Sequence, residues 1–451
     1  MRNAINSLST IGAVIAILFL LLILASNPAQ AATIRDAEIE HTIRSYASPL
    51  LTANGLEPSD VTFHIVKDDS VNAFVTGGQK IFLTTGMLMA AAHPGQVIGV
   101  LSHELGHITG GHLARLSSAF DQRRKQALIG RVIGVAMGIL AKDARVVAAT
   151  SAKAQDIARK SLHKYTRSQE QAADQAAINT LDHNRMSARG LLEFLELLQN
   201  QELLVRSRQD PYLISHPLTS SRIAFVRNHI AGSPFSNTPV TERLNSIHKR
   251  LLAKLRGFIN PPAKTLYLYK PEDQAIGPRY GRAIAFYRNS QFVEAIKLIN
   301  GLIKELPNDT FFHELKGQIL FENGKLTDAL RSYERAVTLR PSEPLLRVGL
   351  AHVQIELNQP NLINSAIQNL EQALRFDRLM PLTWRLAAIA YGRGDRLGLS
   401  ALMSAQYNTL IGRHSDARGQ AKRAMRLLPE KSPNWLRAQE ISNSSSPAIR
   451  R

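Results

Sequence analysis

The sequence predicts an α+β fold that is mostly α, in which a mixed domain with a small sheet precedes an all-α solenoid. Three observations predict this fold. Residues 32–262 combine helix-compatible and strand-like stretches. Residues 279–429 are helix-compatible and contain an internal repeat. Pro261-Pro262 lies between the two regions and marks a boundary.

The internal repeat has a period of 34 residues. Its matched positions are Ala295 with Ala329, Ile299 with Tyr333, Leu302 with Ala336 and Pro307 with Pro341. This period is typical of tetratricopeptide repeats, which pair two antiparallel helices. A third copy around Ala366 is displaced by three residues, which we expect the loop at 358–361 to absorb. A generic helical bundle is the less favoured alternative.

The predicted organisation has five parts: a signal peptide, the mixed domain, a linker, a repeat domain of about four repeats with a cap, and a polar tail. These are residues 1–31, 32–262, 263–278, 279–441 and 442–451.

The first residues are typical of a secretory signal. Arg2 precedes an apolar run from Ile11 to Ala25, and Ala29-Gln30-Ala31 provides a small-residue cleavage site. We therefore expect export and cleavage after Ala31. An uncleaved anchor is the alternative, because the apolar run approaches spanning length.

Composition excludes several kinds of site and partner. The 451 residues include no cysteine, which excludes disulfides, cysteine zinc sites and a thiol nucleophile. The formal net charge of +19 favours anionic partners. Export argues against nucleic acid, so we expect a solvated cationic surface or peripheral contact with an anionic membrane surface.

The strongest chemical signal is the pentapeptide His103-Glu104-Leu105-Gly106-His107. Two histidines four residues apart share one helix face and can bind one zinc ion. Glu104 lies toward the open side of such a metal, where it can take a proton from water. The motif predicts one Zn²⁺ per chain with Glu104 as general base. A structural zinc site is the weaker alternative, because it has no need of a base.

A carboxylate from another helix is expected to complete the metal site. Glu170 and Asp174 lie one turn apart on one face. Glu170 can bind zinc, and Asp174 can accept the far imidazole proton of a ligand histidine. If the motif helix continued, His112 would lie about 180° from His103. We therefore expect His112 to be structural.

Two further stretches carry expectations about access to the site. Residues 80–85 follow a Gly77-Gly78 turn and are predicted to form a sheet edge, to which an extended peptide can add. The apolar stretch 127–141 is too short to span a membrane. We expect it to be a lid or packed helix, with membrane contact as the alternative.

Four stretches resemble the gluzincin peptidases that include the prenyl-protein protease, and especially periplasmic members that carry tetratricopeptide repeats. The stretches are Asn72-Ala73-Phe74 with the following strand, His103 to His107, Glu170 to Asp174, and His216-Pro217 with Arg222. With the repeats, the resemblance covers nearly the whole mature chain.

The resemblance implies a zincin metallopeptidase fold with a small edge-strand sheet. It implies zinc ligands His103, His107 and Glu170, with Glu104 as base and Asp174 behind a ligand. It also implies substrate contacts at Asn72, Ile81, Leu83 and Arg222. His216 has three open roles: an oxyanion donor, a plug that fills the open zinc position, or a surface loop residue fixed by Pro217.

The function implied is a periplasmic zinc endopeptidase that degrades misfolded or stalled outer-membrane β-barrel proteins and assists their assembly. The implied partners are such unfolded proteins and the β-barrel assembly machinery, which the repeat domain would contact. The alternative is a chaperone or assembly adaptor with minor or latent peptidase activity.

Overall fold

A computed structural model of the protein describes residues 33–112, 167–204 and 216–444. The expected signal peptide, the apolar stretch 127–141 and residues 445–451 of the expected tail lie outside the described residues. The strands are β1 (Thr33–Ile34), β2 (Thr62–Val66), β3 (Ala73–Thr76) and β4 (Lys80–Thr84).

Helices make up most of the described chain. Those of the first part are α1 (Ala37–Ala53), α2 (Thr85–Ala90), α3 (Pro94–Thr109), α4 (described over residues 167–183), α5 (Arg189–Leu204), α6 (Ser220–Gly232), α7 (Glu242–Ile259) and α8 (Pro262–Leu268). Those of the second part are α9 (Ile276–Arg288), α10 (Phe292–Glu305), α11 (Thr310–Glu322), α12 (Leu326–Leu339), α13 (Pro344–Leu357), α14 (Pro360–Phe376), α15 (Pro381–Arg393), α16 (Leu397–Leu410), α17 (His414–Leu427) and α18 (Pro433–Ser444).

The four strands form one mixed sheet in the order β1-β2-β4-β3. β4 pairs in parallel with β2 and antiparallel with β3, while β1 pairs antiparallel with β2. A hairpin joins β3 to β4, and its turn uses left-handed backbone at Gly78 (φ 80°) and Gln79 (φ 56°). Glycine adopts the left-handed conformation at position 78 without strain.

The predicted sheet edge at residues 80–85 is wrong. β4 is central, because both of its sides are already hydrogen-bonded to neighbouring strands. Of the strands described, β3 and β1 form the edges. Alternation in one strand shows which face is buried, but it does not show how many partners the strand has.

One apolar cluster joins the sheet to α1, α3 and α5. α1 contributes Ile43 and Leu50, the sheet contributes Ile65, Ile81 and Leu83, α3 contributes Val97, Leu101 and Leu105, and α5 contributes Phe194. The α3 residues recur every fourth position, so one stripe of this helix faces the core. The same packing holds the neighbouring positions 103 and 107 inside the domain, where both histidines are buried.

Glycines let α3 approach its two partner helices closely. A Cβ at Gly99 would lie 2.7 Å from the Leu191 backbone of α5. A Cβ at Gly106 would lie 2.8 Å from the Ala173 carbonyl oxygen of α4. Both separations are too short for a real side chain, so only glycine permits these crossings. The second crossing fixes how near α4 comes to the His103–His107 turn.

The second part is a stack of antiparallel helix pairs. α9 pairs with α10, α11 with α12, α13 with α14, and α15 with α16, while α17 and α18 close the end. α9, α11 and α13 begin 34 residues apart, as the repeat predicts. The extra three residues of the third copy extend α14 to 17 residues, compared with 14 in α12. The prediction that a loop absorbs them is therefore wrong.

The first helix of the mixed domain packs against the solenoid. Ala37 lies in an apolar cluster with Phe311, Ala336 and Leu346. Tyr280 donates a hydrogen bond of 2.8 Å to Glu38 Oε2. Lys254 Nζ of α7 is 2.8 Å from Asp36 Oδ2 and 3.1 Å from Glu38 Oε2. Apolar burial and the Tyr280 hydrogen bond thus join α1 to α9, α11 and α13, and the charge pairs of Lys254 hold α7 against the start of α1.

This architecture confirms the predicted fold class, a mostly helical α+β protein with a small sheet and an all-α solenoid. The domain limits stay a prediction. Residues 263–278, the expected linker, contain most of α8 and the start of α9. Within the described ranges, no helix has both the length and the apolar character needed to cross a membrane.

Replacing Gly106 by alanine should destabilise the protein by about 1–3 kcal/mol, because the added Cβ overlaps the α4 backbone. Gly301→Ala is the matched control: Gly301 is also helical, and a Cβ there would meet nothing within 4 Å. We expect the control to be neutral or stabilising by about 0.5–1 kcal/mol. Urea unfolding of the metal-free chain measures both. Equal midpoints for the two variants would contradict the packing argument.

Candidate metal centre

Two helices bring three donor side chains to one point. His103 Nε2 and His107 Nε2 on α3 are 3.1 Å apart. Glu170 on α4 places Oε2 at 3.3 Å from His103 Nε2 and Oε1 at 3.3 Å from His107 Nε2. All three side chains are buried. The predicted donors therefore converge.

These spacings fit a metal ion. Ligand bonds of about 2.0–2.1 Å in tetrahedral geometry put donor atoms about 3.3 Å apart. The three measured separations have this value within a few tenths of an ångström. Two imidazole nitrogens and one carboxylate are a donor set that zinc accepts. The residues present therefore suit such an ion without rearrangement.

Asp174 lies directly behind the first histidine. Its Oδ1 is 2.9 Å from His103 Nδ1, the ring nitrogen that faces away from the cluster. This is the arrangement that the sequence predicts. Burial lowers the pKa of His103, but contacts with Asp174 and Glu170 raise it overall to about 9. Metal binding at His103 Nε2 therefore has to displace a proton at neutral pH.

Arg222 binds both carboxylates of α4. Its Nε and Nη2 lie 2.7 and 2.8 Å from the two oxygens of Asp174, and its Nη1 lies 2.7 Å from Glu170 Oε2. Burial alone would raise the pKa of Asp174, but the Arg222 hydrogen bonds hold it below its usual value. Burial would also raise the pKa of Glu170, yet His216 and the two cluster histidines hold it below its usual value.

Glu104 is the unusual residue of the cluster. It is completely buried, and neither carboxylate oxygen has a hydrogen-bond partner in the described part of the chain. An ionisable neighbour is His216, whose Nε2 is 3.7 Å from Glu104 Oε1. A buried carboxylate without partners is costly. Its place beside the donor cluster is consistent with the base role that the motif predicts.

His216 lies inside the cluster. Its Nδ1 is 3.1 Å from Glu170 Oε1, and its side chain forms a possible metal-binding group with His103, His107 and Glu170. It is only 5% exposed, so a surface loop role is wrong. The backbone of its loop is tied to α6, because Arg222 Nη1 donates to the Pro217 carbonyl at 3.4 Å. The plug and oxyanion roles stay open at this point.

His112 is closer to the centre than the sequence analysis indicates. α3 ends at Thr109, so the angle calculated for a continuous helix does not apply. The buried His112 places Nδ1 at 3.0 Å from His107 Nδ1. The signal was present in Gly110-Gly111, which stop the helix just before His112.

The expected substrate contacts are mostly not available to a substrate. Ile81 and Leu83 are fully buried in the core, so their predicted role is wrong. Arg222 is 1% exposed and engaged with the α4 carboxylates, so it also cannot face substrate. Asn72 precedes edge strand β3 and is 8% exposed. Its role as a substrate contact stays a prediction.

Comparison with known proteins agrees with this geometry. Residues 33–230 match the model of peptidase family M48. The chain is 24% identical over 420 residues to a beta-barrel assembly-enhancing protease of Yersinia pestis, covering 87% of this chain and 82% of the relative. It is 25% identical over 354 residues to the protein of that name in Escherichia coli K12, covering 73% and 69%.

A shorter relative matches a smaller part of the chain. Metalloprotease YcaL of Escherichia coli K12 is 27% identical over 180 residues, which are 40% of this chain and 65% of the relative. Residues 33–230, which match the family model, contain the donor residues His103, His107 and Glu170. Residues 33–230 therefore resemble a metallopeptidase domain of family M48, and together with the donor cluster this similarity identifies the chain as a metalloprotease.

Replacing Arg222 by methionine should destabilise the metal-free chain by about 3–5 kcal/mol, because two buried carboxylates lose their counter-charge. Arg227→Met on the same helix is the control. Arg227 pairs with Glu196 at the surface, where a salt bridge contributes about 0–1 kcal/mol. Hydrogen exchange of peptides from 167–183 measures the local effect. Unchanged protection in the Arg222 variant would contradict this role.

Proposed function

We propose that this metalloprotease is a zinc endopeptidase of the periplasm that cleaves misfolded or stalled outer-membrane β-barrel proteins and assists their assembly. One observation carries the peptidase chemistry: a buried carboxylate without a hydrogen-bond partner, Glu104, beside a three-donor cluster. The names of the relatives and the secretory pattern of residues 1–31 support the proposed substrate and compartment.

The residues of the chain divide the work of peptide hydrolysis. His103, His107 and Glu170 would hold the zinc ion. Bound zinc would polarise the substrate carbonyl and lower the pKa of water. Glu104 takes the proton from the attacking water and returns it to the leaving nitrogen. Asp174 and Arg222 keep His103 and Glu170 oriented, so the donors do not have to reorganise.

His216 supports a latent state as part of this proposal. It is the fourth side chain of the donor group, and a site closed by four protein ligands leaves no position for water or substrate. His216 belongs to a different segment from the other three donors, ahead of α6. Withdrawal of this one loop would therefore open the site without disturbing α3 or α4.

The repeats would dock substrate or the β-barrel assembly machinery. α1 already lies against α9, α11 and α13, the first helices of three successive repeats. That face is therefore covered by the chain itself. We therefore propose that the later repeats bind the partner. They expose apolar side chains at the turn between α14 and α15, where Phe376 and Leu379 are 64% and 65% exposed.

Glu104→Gln should reduce cleavage of an unfolded outer-membrane protein by at least about 10²-fold, because the amide cannot accept a proton. Zinc content should be unchanged, since Glu104 is not a proposed ligand. The control is Glu196→Gln, a half-exposed glutamate on α5 that pairs with Arg227. A chelator should abolish wild-type cleavage. Wild-type turnover by Glu104→Gln, or turnover that resists the chelator, would refute the proposal.

His216→Ala separates the two remaining roles of that residue. As a plug, its removal should raise the rate of cleavage, because the fourth position opens. As an oxyanion donor, its removal should lower kcat by about 10²–10³-fold. We expect the gain. The measurement is the initial rate on unfolded protein with saturating zinc.

A second candidate function is a chaperone or assembly adaptor with latent peptidase activity. The observation that favours it is the presence of His216 as a fourth donor side chain in the cluster. Complementation of a deletion strain distinguishes the two. If Glu104→Gln restores every outer-membrane phenotype, proteolysis is not the main function.

A further inference from the structure

The segment after α3 folds back beneath the second histidine of the metal cluster. α3 ends at Thr109, and the next residues are Gly110 and Gly111. Gly111 has a left-handed backbone (φ 60°), which reverses the chain direction at little cost for glycine. His112 thereby returns to the helix end instead of continuing along its axis.

Glycine at position 110 leaves room for the returning ring. A Cβ there would lie 2.9 Å from His112 Cδ2 and closer still to His112 Nε2. The ring therefore occupies the space that any other residue would fill. On the other side, Gln169 Nε2 of α4 donates to the His112 carbonyl at 3.0 Å. Two independent features thus hold His112 in place.

His112 contacts the nitrogen of His107 that faces away from the cluster. The two Nδ1 atoms are 3.0 Å apart, and the rings meet edge to face at 79°. His107 Nε2 points the other way, toward His103 Nε2 and Glu170 Oε1. A hydrogen bond between two Nδ1 atoms needs one donor and one acceptor.

The direction of this bond decides whether His107 can bind a metal. If His107 Nδ1 carries the proton and His112 Nδ1 accepts it, His107 Nε2 has a free lone pair. The reverse arrangement leaves the proton of neutral His107 on Nε2, beside Glu170 Oε1, and excludes a metal there. His107 can therefore bind a metal through Nε2 only when its Nδ1 donates the hydrogen bond to His112.

We propose that His112 is a positioning residue for the metal centre: it accepts the Nδ1 proton of His107 and fixes that ring as an Nε2 ligand. The inference rests on the proposed zinc site. His107 then has the imidazole of His112 as its outer partner, whereas His103 has the carboxylate of Asp174. Each ligand histidine is thus oriented by a different group. Gly110 and Gly111 contribute to the metal centre because they let the His112 ring reach His107.

The alternative is that His112 only fills space. Two substitutions separate the roles. His112→Leu keeps an apolar side chain of comparable size but removes the acceptor. His112→Asn is smaller but restores an acceptor oxygen. If His112 only fills space, the leucine variant should retain more zinc affinity than the asparagine variant. If His112 positions His107, the asparagine variant should retain more.

The experiment measures zinc affinity of the full chain by competition with a chromophoric chelator. We expect His112→Leu to bind zinc about 10–100-fold more weakly than wild type, and His112→Asn to recover most of the loss. His248→Leu is the matched control. His248 is equally buried but bonds to Tyr46 and the Ala91 carbonyl, so its replacement should leave zinc affinity unchanged.

Gly110→Ala tests the inference without changing either histidine. Its Cβ displaces the His112 ring, so zinc affinity should fall as in His112→Leu. This variant also serves if His112→Leu does not fold. Wild-type affinity in His112→Leu or in Gly110→Ala, or asparagine no better than leucine, overturns the positioning role while leaving the zinc site intact. Failure of wild type to bind zinc overturns the proposed site and the inference together.

Discussion

The burial of two carboxylates on α4 is the constraint on which the metal centre depends. Glu170 and Asp174 are 1% and 0% exposed, and a buried charge is stable only when it is paired. Arg222 pairs with both, and the cluster histidines supply the remaining contacts. The same interactions fix Glu170 as a donor and His103 in the required tautomer. The same charge pairs therefore stabilise the domain and hold the donor side chains in position.

Close helix packing makes that arrangement possible. Gly106 lies between the two motif histidines and lets the α4 backbone approach α3. The pentapeptide thus contains two of the donor side chains, the proposed base and the contact surface for the helix of the third donor. Lys254 pairs with Asp36 and Glu38 at the start of α1. Tyr280 of the repeats also donates to Glu38, which connects the sheet domain to the repeats.

Local periodicity was sufficient to predict the parts of the protein that depend on one segment. The four-residue spacing of His103 and His107, and of Glu170 and Asp174, follows from helix geometry alone. The 34-residue period identified the helix pairs. Contacts between segments that are distant in the sequence could not be predicted from local periodicity. β4 became central because β2 and β3 both pair with it, and Arg222 became a counter-ion because α6 folds onto α4. The contact between His112 and His107 was also not accessible, because the angle between His112 and His103 was calculated for a helix that continues past Gly110.

The most direct test is zinc X-ray absorption on the loaded full chain, with metal analysis. The account predicts one zinc per chain, bound only by nitrogen and oxygen at about 2.0–2.1 Å with imidazole scattering. It also predicts that a chain carrying both His103→Ala and His107→Ala retains no zinc. Absence of stoichiometric zinc in wild type, or retention of zinc by the double variant, would contradict it.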